Sequence, residues 1–323
     1  MKKESNIRVK VSTPALQEIR NLQDKEIIKH RPLQLDETSF VRLLPVRSKY
    51  GNKGTFGKVL IIAGSRNMAG AAILAARAAF SAGCGMVMVL TDDCNRTILQ
   101  TAVPEAILAT YDGQIDEEVV ENALDWCSCI LIGPGLSTGE EARALLNMVL
   151  DGTIGKPIVM DADALNILAE KSNAIRMNGK NVIITPHVGE MARLVGLSIR
   201  EIQSHMIETA EAFSTHHNVT VILKDAVSVI ASPGHRTYEN RSGNNGMATA
   251  GSGDVLVGLV TGLLATGMNN ADAAVLGAFI HGLAGDYASR EKTPYCMMAS
   301  DIIAHMPDVF AKALQSRHLR REQ

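Results

Sequence analysis

Aromatic residues make up only 4% of the 323-residue chain, with a single tryptophan, too few for a base-stacking surface or an aromatic cage. Clustered basic charge is missing as well: 32 Lys and Arg stand against 34 Asp and Glu, a formal charge of -2. Nucleic acid, whose binding rests on concentrated cationic charge, is therefore not expected as a partner. No apolar run reaches the ~18 residues that a membrane span needs, so no membrane partner is expected. Residues 1–20 carry early lysines with no apolar stretch behind them, which argues against a secretory signal. Cysteine is sparse: Cys84, Cys94, Cys127, Cys129 and Cys296 form an odd set without paired metal spacing. Cys127-Ser128-Cys129 runs straight into Ile130-Leu131-Ile132, so buried free thiols are expected, and with them a reducing, cytoplasmic compartment.

What the chain does have is aliphatic mass. Hydrophobic residues reach 46% against 20% charged, which allows a large core and excludes wholesale disorder. Short apolar runs at 59–63, 86–90, 130–133, 158–161, 182–185, 219–224 and 227–231 read as strands. Between most of them lie helical stretches, at 70–82, 139–150, 190–195 and 199–216. Near-continuous apolar strands separated by helices predict a largely parallel sheet covered on both faces. The close spacing of 219–224 and 227–231 predicts a hairpin, hence an antiparallel element late in the sheet. Three helices follow in succession, at 254–266, 271–289 and 300–314. The organisation expected is one α/β domain over 36–323 after a polar N-terminal extension at 1–35. In such sheets ligands gather at the carboxyl ends of the strands, near a switch in strand order.

The segment richest in chemistry is Asn244-Asn245-Gly246, followed at a short distance by Gly251-Ser252-Gly253-Asp254 and an apolar helix. Free backbone amides and the positive end of the helix dipole make such a loop an anion site. Gly253 is expected to bring its amide to a phosphate oxygen, where any side chain would either clash with the ligand or disfavour a positive φ. Asp254 is either a helix cap or an acid that accepts a proton from an attacking hydroxyl beside the phosphate. Gly70-Ala71-Ala72 begins a helix of small residues, which either lets a ligand approach the backbone or serves close packing. Ile132-Gly133-Pro134-Gly135 ends a buried strand in a turn with little to obstruct a ligand. His187 follows the strand at 182–185 with Gly189 and Glu190 behind it; taken alone, such a histidine is structural. Lys224-Asp225-Ala226-Val227-Ser228 spans the hairpin turn, where a lysine either meets phosphate or ends an edge strand. Asp161 and Asp163 follow the strand at 158–161 and are expected to be loop carboxylates near a substrate.

Gly251-Ser252-Gly253-Asp254 resembles the GxGD anion-hole signature of the ribokinase-like superfamily. The segments 54–65, 70–72, 132–136, 160–165, 185–190 and 223–225 narrow the resemblance to the ADP-dependent (S)-NAD(P)H-hydrate dehydratases, which repair hydrated nicotinamide cofactors. It spans roughly residues 40–315 in order. The resemblance implies a ribokinase-like three-layer α/β sandwich with a largely parallel central sheet covered by helices on both faces. It implies that Ala71, Gly133, His187 and Asp254 contact the NAD(P)H hydrate. Lys224, Asp225, Ala226, Val227, Ser228 and Gly253 would hold the adenine nucleotide, and Gly251, Ser252 and Gly253 would form the anion hole. Asp254 would be the catalytic base and ADP the co-substrate. Mg2+ would have no direct protein ligand, with Glu190 orienting it through water or else capping the helix start. Alanine-rich faces, with the resemblance, imply a homo-oligomer, a tetramer. Two other functions share these residues: a small-molecule kinase acting on a hydroxymethyl or hydroxyethyl heterocycle, and a silent dinucleotide sensor.

Overall fold

The aliphatic runs become strands because both of their faces are covered. In the computed structural model, which describes residues 32–319 except 38, 154, 171–176 and 178–180, they are β1 (Lys58–Ile62), β2 (Met86–Asp92), β3 (Ile107–Tyr111), β4 (Cys129–Ile132), β5 (Ile158–Met160), β6 (Val182–Ile184), β7 (Thr220–Leu223), β8 (Ser228–Ala231) and β9 (Tyr238–Asn240). Every residue of β4, β5, β6 and β7 is buried. The nine strands form one sheet in the order β3-β2-β1-β4-β5-β6-β7-β8-β9. Pairing is parallel from β3 to β7 and antiparallel from β7 to β9. From β1 the chain builds outward to β3, then returns to the other side of β1 with β4. The switch point lies between β1 and β4.

The helices are α1 (Ala69–Ser81), α2 (Arg96–Ala102), α3 (Glu117–Trp126), α4 (Glu140–Gly152), α5 (Asp163–Glu170), α6 (Val188–Val195), α7 (Ile199–Ser204), α8 (Met206–His217), α9 (Ser252–Ala265), α10 (Asn270–Lys292) and α11 (Ala299–Leu319). Residues of α1, α2, α9, α10 and α11 share one core with the sheet face that carries Val59 and Ile61. Residues of α3 to α8 share the other, with Leu60 and Ile62. The alanines of α1 face α9 at backbone distance: a Cβ on Gly258 would stand 2.2 Å from the Ala75 carbonyl, and one on Gly262 2.5 Å from that of Ala79. These alanines of α1 are thus covered within the chain.

Two strands escape sequence reading. β9 is Tyr-Glu-Asn and β3 begins with the exposed Ile107; both sit at sheet edges, where no continuous apolar run is needed. The turn between β7 and β8 is also longer than expected, with Lys224, Asp225, Ala226 and Val227 between the strands. Of the expected N-terminal extension, residues 1–31 lie outside the described residues. Leu33 lies along β9, donating its N–H to the Thr237 carbonyl (2.9 Å) and accepting from the Glu239 N–H (3.0 Å). All five cysteines are free; Cys84, Cys127 and Cys129 are buried as expected, whereas Cys94 and Cys296 are exposed. Among the described residues no helix is long and apolar enough to cross a membrane.

Candidate active site

The carboxyl ends of β5, β6 and β7 bring together side chains far apart in sequence. Asp161, just beyond β5, is 2% exposed. Its Oδ1 accepts from Lys224 Nζ at 2.8 Å and from Thr185 Oγ1 at 2.7 Å. Strand pairing continues past Pro186, because the Lys224 N–H donates to the Pro186 carbonyl at 2.8 Å and His187 pairs with Lys224 in a parallel bridge. Burial works against the Lys224 charge, but Asp161, Glu190 and Asp254 outweigh it and hold the ammonium above its usual range. Asp161 is in the loop beyond β5, as expected, and is held there as the buried partner of Lys224. Asp163 opens α5 and accepts from the Ser137 N–H at 2.8 Å, which fixes the loop after Gly135.

The glycine loop meets this cluster from the other side. Gly251 is the N-cap of α9 at φ +88, and a Cβ there would lie 2.4 Å from Leu74 Cδ1. The positive φ expected of Gly253 belongs to Gly251. Gly253 is in the first turn of α9, where a Cβ would stand 3.5 Å from Lys224 Nζ and 3.8 Å from Asp161 Oδ2. Asp254 comes third in α9 and does not cap it, so the capping alternative falls. Burial first, then the charge of Asp161, push its carboxyl up to about 6, with Lys224 acting against them. A carboxylate so placed ionises near neutrality and remains a useful base.

Between the hairpin turn and the glycine loop lies a cleft of about 870 Å³. Lys224, Asp225, Ala226 and Ser228 line one wall, and Ser252 and Gly253 another, with His187 at the rim. Val227 belongs to the same turn without lining the cleft. His187 caps α6: its Nδ1 accepts from the Gly189 N–H at 2.9 Å. Burial, then Lys224 and Arg193, hold its pKa below the usual histidine value. Glu190 Oε2 accepts from the His187 N–H at 2.8 Å, and the residue is 6% exposed. The helix-start alternative for Glu190 is thus the one the geometry fulfils.

Ala71 and Gly133 stand apart from this cleft, at the switch point. Gly133 has φ +125, and a Cβ would come within 1.9 Å of the Asp161 carbonyl, so the turn itself demands glycine. Ala71, in the first turn of α1, touches the space a side chain on Gly135 would occupy. The two loops are tied together by the Gly64 N–H to the Pro134 carbonyl (3.0 Å) and the Ser65 N–H to the Gly135 carbonyl (2.6 Å). Buried Asn95 and Thr91 hold the Gly64 carbonyl from behind, at 3.0 and 2.7 Å. Sequence reasoning missed His281 of α10, which lines the cleft and whose Nε2 lies 3.0 Å from the Ser252 carbonyl. Its one signal was a histidine inside the apolar stretch Phe279-Ile280-His281-Gly282-Leu283.

The sequence model of a family described as NAD(P)H-hydrate dehydratase matches residues 59–308. An ADP-dependent (S)-NAD(P)H-hydrate dehydratase of Neisseria meningitidis serogroup B is 41% identical over 254 residues, covering 76% of this chain and 82% of that protein. A bifunctional NAD(P)H-hydrate repair enzyme of Moorella thermoacetica is 38% identical over 273 residues, covering 82% of this chain and 51% of that protein. The chain thus spans about half the length of the bifunctional relatives it matches. Among solved structures, the ADP/ATP-dependent NAD(P)H-hydrate dehydratase of Bacillus subtilis, co-crystallized with ATP/Mg2+, superposes with a TM-score of 0.77 at 28% identity. The match covers 88% of this chain and 99% of that one.

Proposed function

The chain belongs to the NAD(P)H-hydrate dehydratase family, and from that premise we propose that it dehydrates the S epimer of NADH or NADPH hydrate to NAD(P)H while converting ADP to AMP and phosphate. The observation that carries the reading is that Lys224 and Gly253 line the same cleft, a Cβ on Gly253 standing 3.5 Å from Lys224 Nζ, while Asp254, next along α9, interacts with the Lys224 charge from outside the lining residues. Hydroxide is a poor leaving group, and the site supplies a way round it. Asp254 takes the proton of the ring hydroxyl as its oxygen attacks the terminal phosphorus of ADP, and the bond to the bridging oxygen breaks to release AMP. Lys224 and the amides of Gly251, Ser252 and Gly253 offset the charge spread over the transferring group. The ring nitrogen lone pair then expels phosphate, and loss of a proton from the neighbouring carbon completes the dihydropyridine.

In this reading residues 36–323 form one catalytic domain. Lys224 to Ser228 hold the nucleotide, while Ala71, Gly133 and His187 line the path of the hydrate. ATP would serve in place of ADP, a reading supported by the B. subtilis relative having been co-crystallized with it. Mg2+ was present in that co-crystallization as well. Here no group of three His, Cys, Asp or Glu among the described residues is arranged to hold a metal, and Glu190 is engaged with His187. Magnesium would therefore be held by the nucleotide's own phosphates and water, where it would neutralise phosphate charge. A homotetramer in the cytoplasm belongs to the same proposal, resting on family resemblance alone.

The test is incubation with hydrated NADH and ADP, following the return of reduced-cofactor absorbance together with AMP and phosphate. Equimolar appearance of all three is the expected result. A stable phosphorylated product without NADH would instead establish the small-molecule kinase, and binding without turnover the sensor.

A further inference from the structure

α10 presents one face to both loops of the cleft. Ala278, His281, Gly282 and Gly285 fall at helical spacings of three and four, so they share that face. Asn240 Nδ2 donates to the Ala278 carbonyl (3.1 Å), Ser242 Oγ to that of Phe279 (3.0 Å) and Asn244 Nδ2 to that of Gly285 (2.9 Å). The Gly243 N–H donates to Asp286 Oδ2 at 3.0 Å. A Cβ on Gly282 would stand 2.2 Å from Ser242 Oγ, so the 240–244 strap lies directly on the helix. His281 carries this face across to the glycine loop. Its Nε2 is 3.0 Å from the Ser252 carbonyl and 3.4 Å from Ser252 Oγ.

A carbonyl oxygen accepts and never donates, so Nε2 carries the proton. His281 is only 9% exposed. Burial, opposed by the bond to Ser252, pulls its pKa down to about 4, so the ring is neutral at physiological pH and acts by direction, not by charge. An apolar side chain would fill this site without the cost of burying an imidazole; the imidazole has a use only where its donor is needed. We infer that His281 is a positioning residue, whose Nε2–H locks the Ser252 peptide so that the loop amides face the terminal phosphate of the bound nucleotide. The inference rests on the proposed reading of that loop as the phosphate cradle.

Binding of ADP and of AMP, measured by calorimetry without the hydrate, separates the two. AMP lacks the phosphate that the cradle would hold. Wild-type protein should prefer ADP. In His281→Leu and His281→Met, which fill the site without a donor, that preference should fall roughly 10-fold, the scale of leaving one buried hydrogen-bond acceptor unpaired. AMP affinity should stay the same. His281→Gln places an amide N–H at similar reach and should restore the preference. Turnover at saturating ADP should follow the same order. If wild-type protein binds ADP and AMP equally, the cradle reading and this inference fall together. If wild-type protein prefers ADP and the donor-less variants do too, only His281 is refuted. Equal loss in His281→Gln, or failure of both donor-less variants to fold, assigns the residue to packing and overturns the inference.

Discussion

Replacing Asp254 by asparagine keeps the size and hydrogen-bonding capacity of the side chain and removes its basicity. General-base assistance is worth about 100- to 10,000-fold, so kcat should fall by that range while ADP still binds. The wild-type pH profile supplies the second reading. With the carboxyl at about 6, kcat/KM should rise through about pH 6 and level off above it, and Asp254→Asn should lose this limb. Stability supplies a third. Folding raises this acid from 3.8 to about 6, so the folded state binds more protons and wild-type stability declines as pH rises between those values. Two units correspond to about 3 kcal/mol at most, and partial solvent access reduces it. Asp254→Asn should therefore melt above wild type at pH 7, with the gap closing towards pH 4. Steady-state kinetics and calorimetry across pH 4–8 read all three effects. Near-normal turnover in the variant would remove Asp254 from the mechanism. Lost turnover with earlier melting at pH 7 would make it a structural residue.

Asp161→Asn should shift the acid limb of kcat/KM to lower pH, because the Asp161 charge helps to raise Asp254; an unmoved limb would refute that coupling. His187→Ala should weaken the hydrated dinucleotide more than ADP and destabilise α6 by about 1 kcal/mol through loss of its cap. If His187→Ser restores stability and dinucleotide affinity together, the histidine is a cap only. Gly253→Val should leave ligand-free melting nearly unchanged, since a Cβ there meets Lys224 Nζ at an ordinary 3.5 Å, yet abolish the stabilisation added by ADP. Gly251→Val should do the reverse of this in the absence of ligand, lowering melting through its φ of +88 and the clash with Leu74; equal behaviour of the two variants would refute the separation.

Local features were legible in the sequence because their cause is local. A strand buried on both faces must be aliphatic throughout, so β1, β2 and β4 to β7 announced themselves. The helix start at 251–254 did likewise, since two glycines and an acid stand directly before an apolar run. The sequence also placed an antiparallel hairpin after the parallel strands. What it lacked was any record of which distant segments meet. Asp161 and Lys224 lie 63 residues apart, and their pairing exists only because β5, β6 and β7 are neighbours that end at one level. The same strand order makes His187 the neighbour of Lys224 across a parallel bridge. The positive φ at Gly251 instead of Gly253 was decided by where α9 begins. The occupation of the α1 alanines by α9 was decided by helix packing, which no single segment encodes. His281 belongs to this second class: 29 residues beyond Ser252, it reaches the loop because α9 and α10 pack side by side. Apolar runs and glycines are set by the chain's own steric and solvation demands, whereas the partners of a buried polar group are set by the rest of the fold.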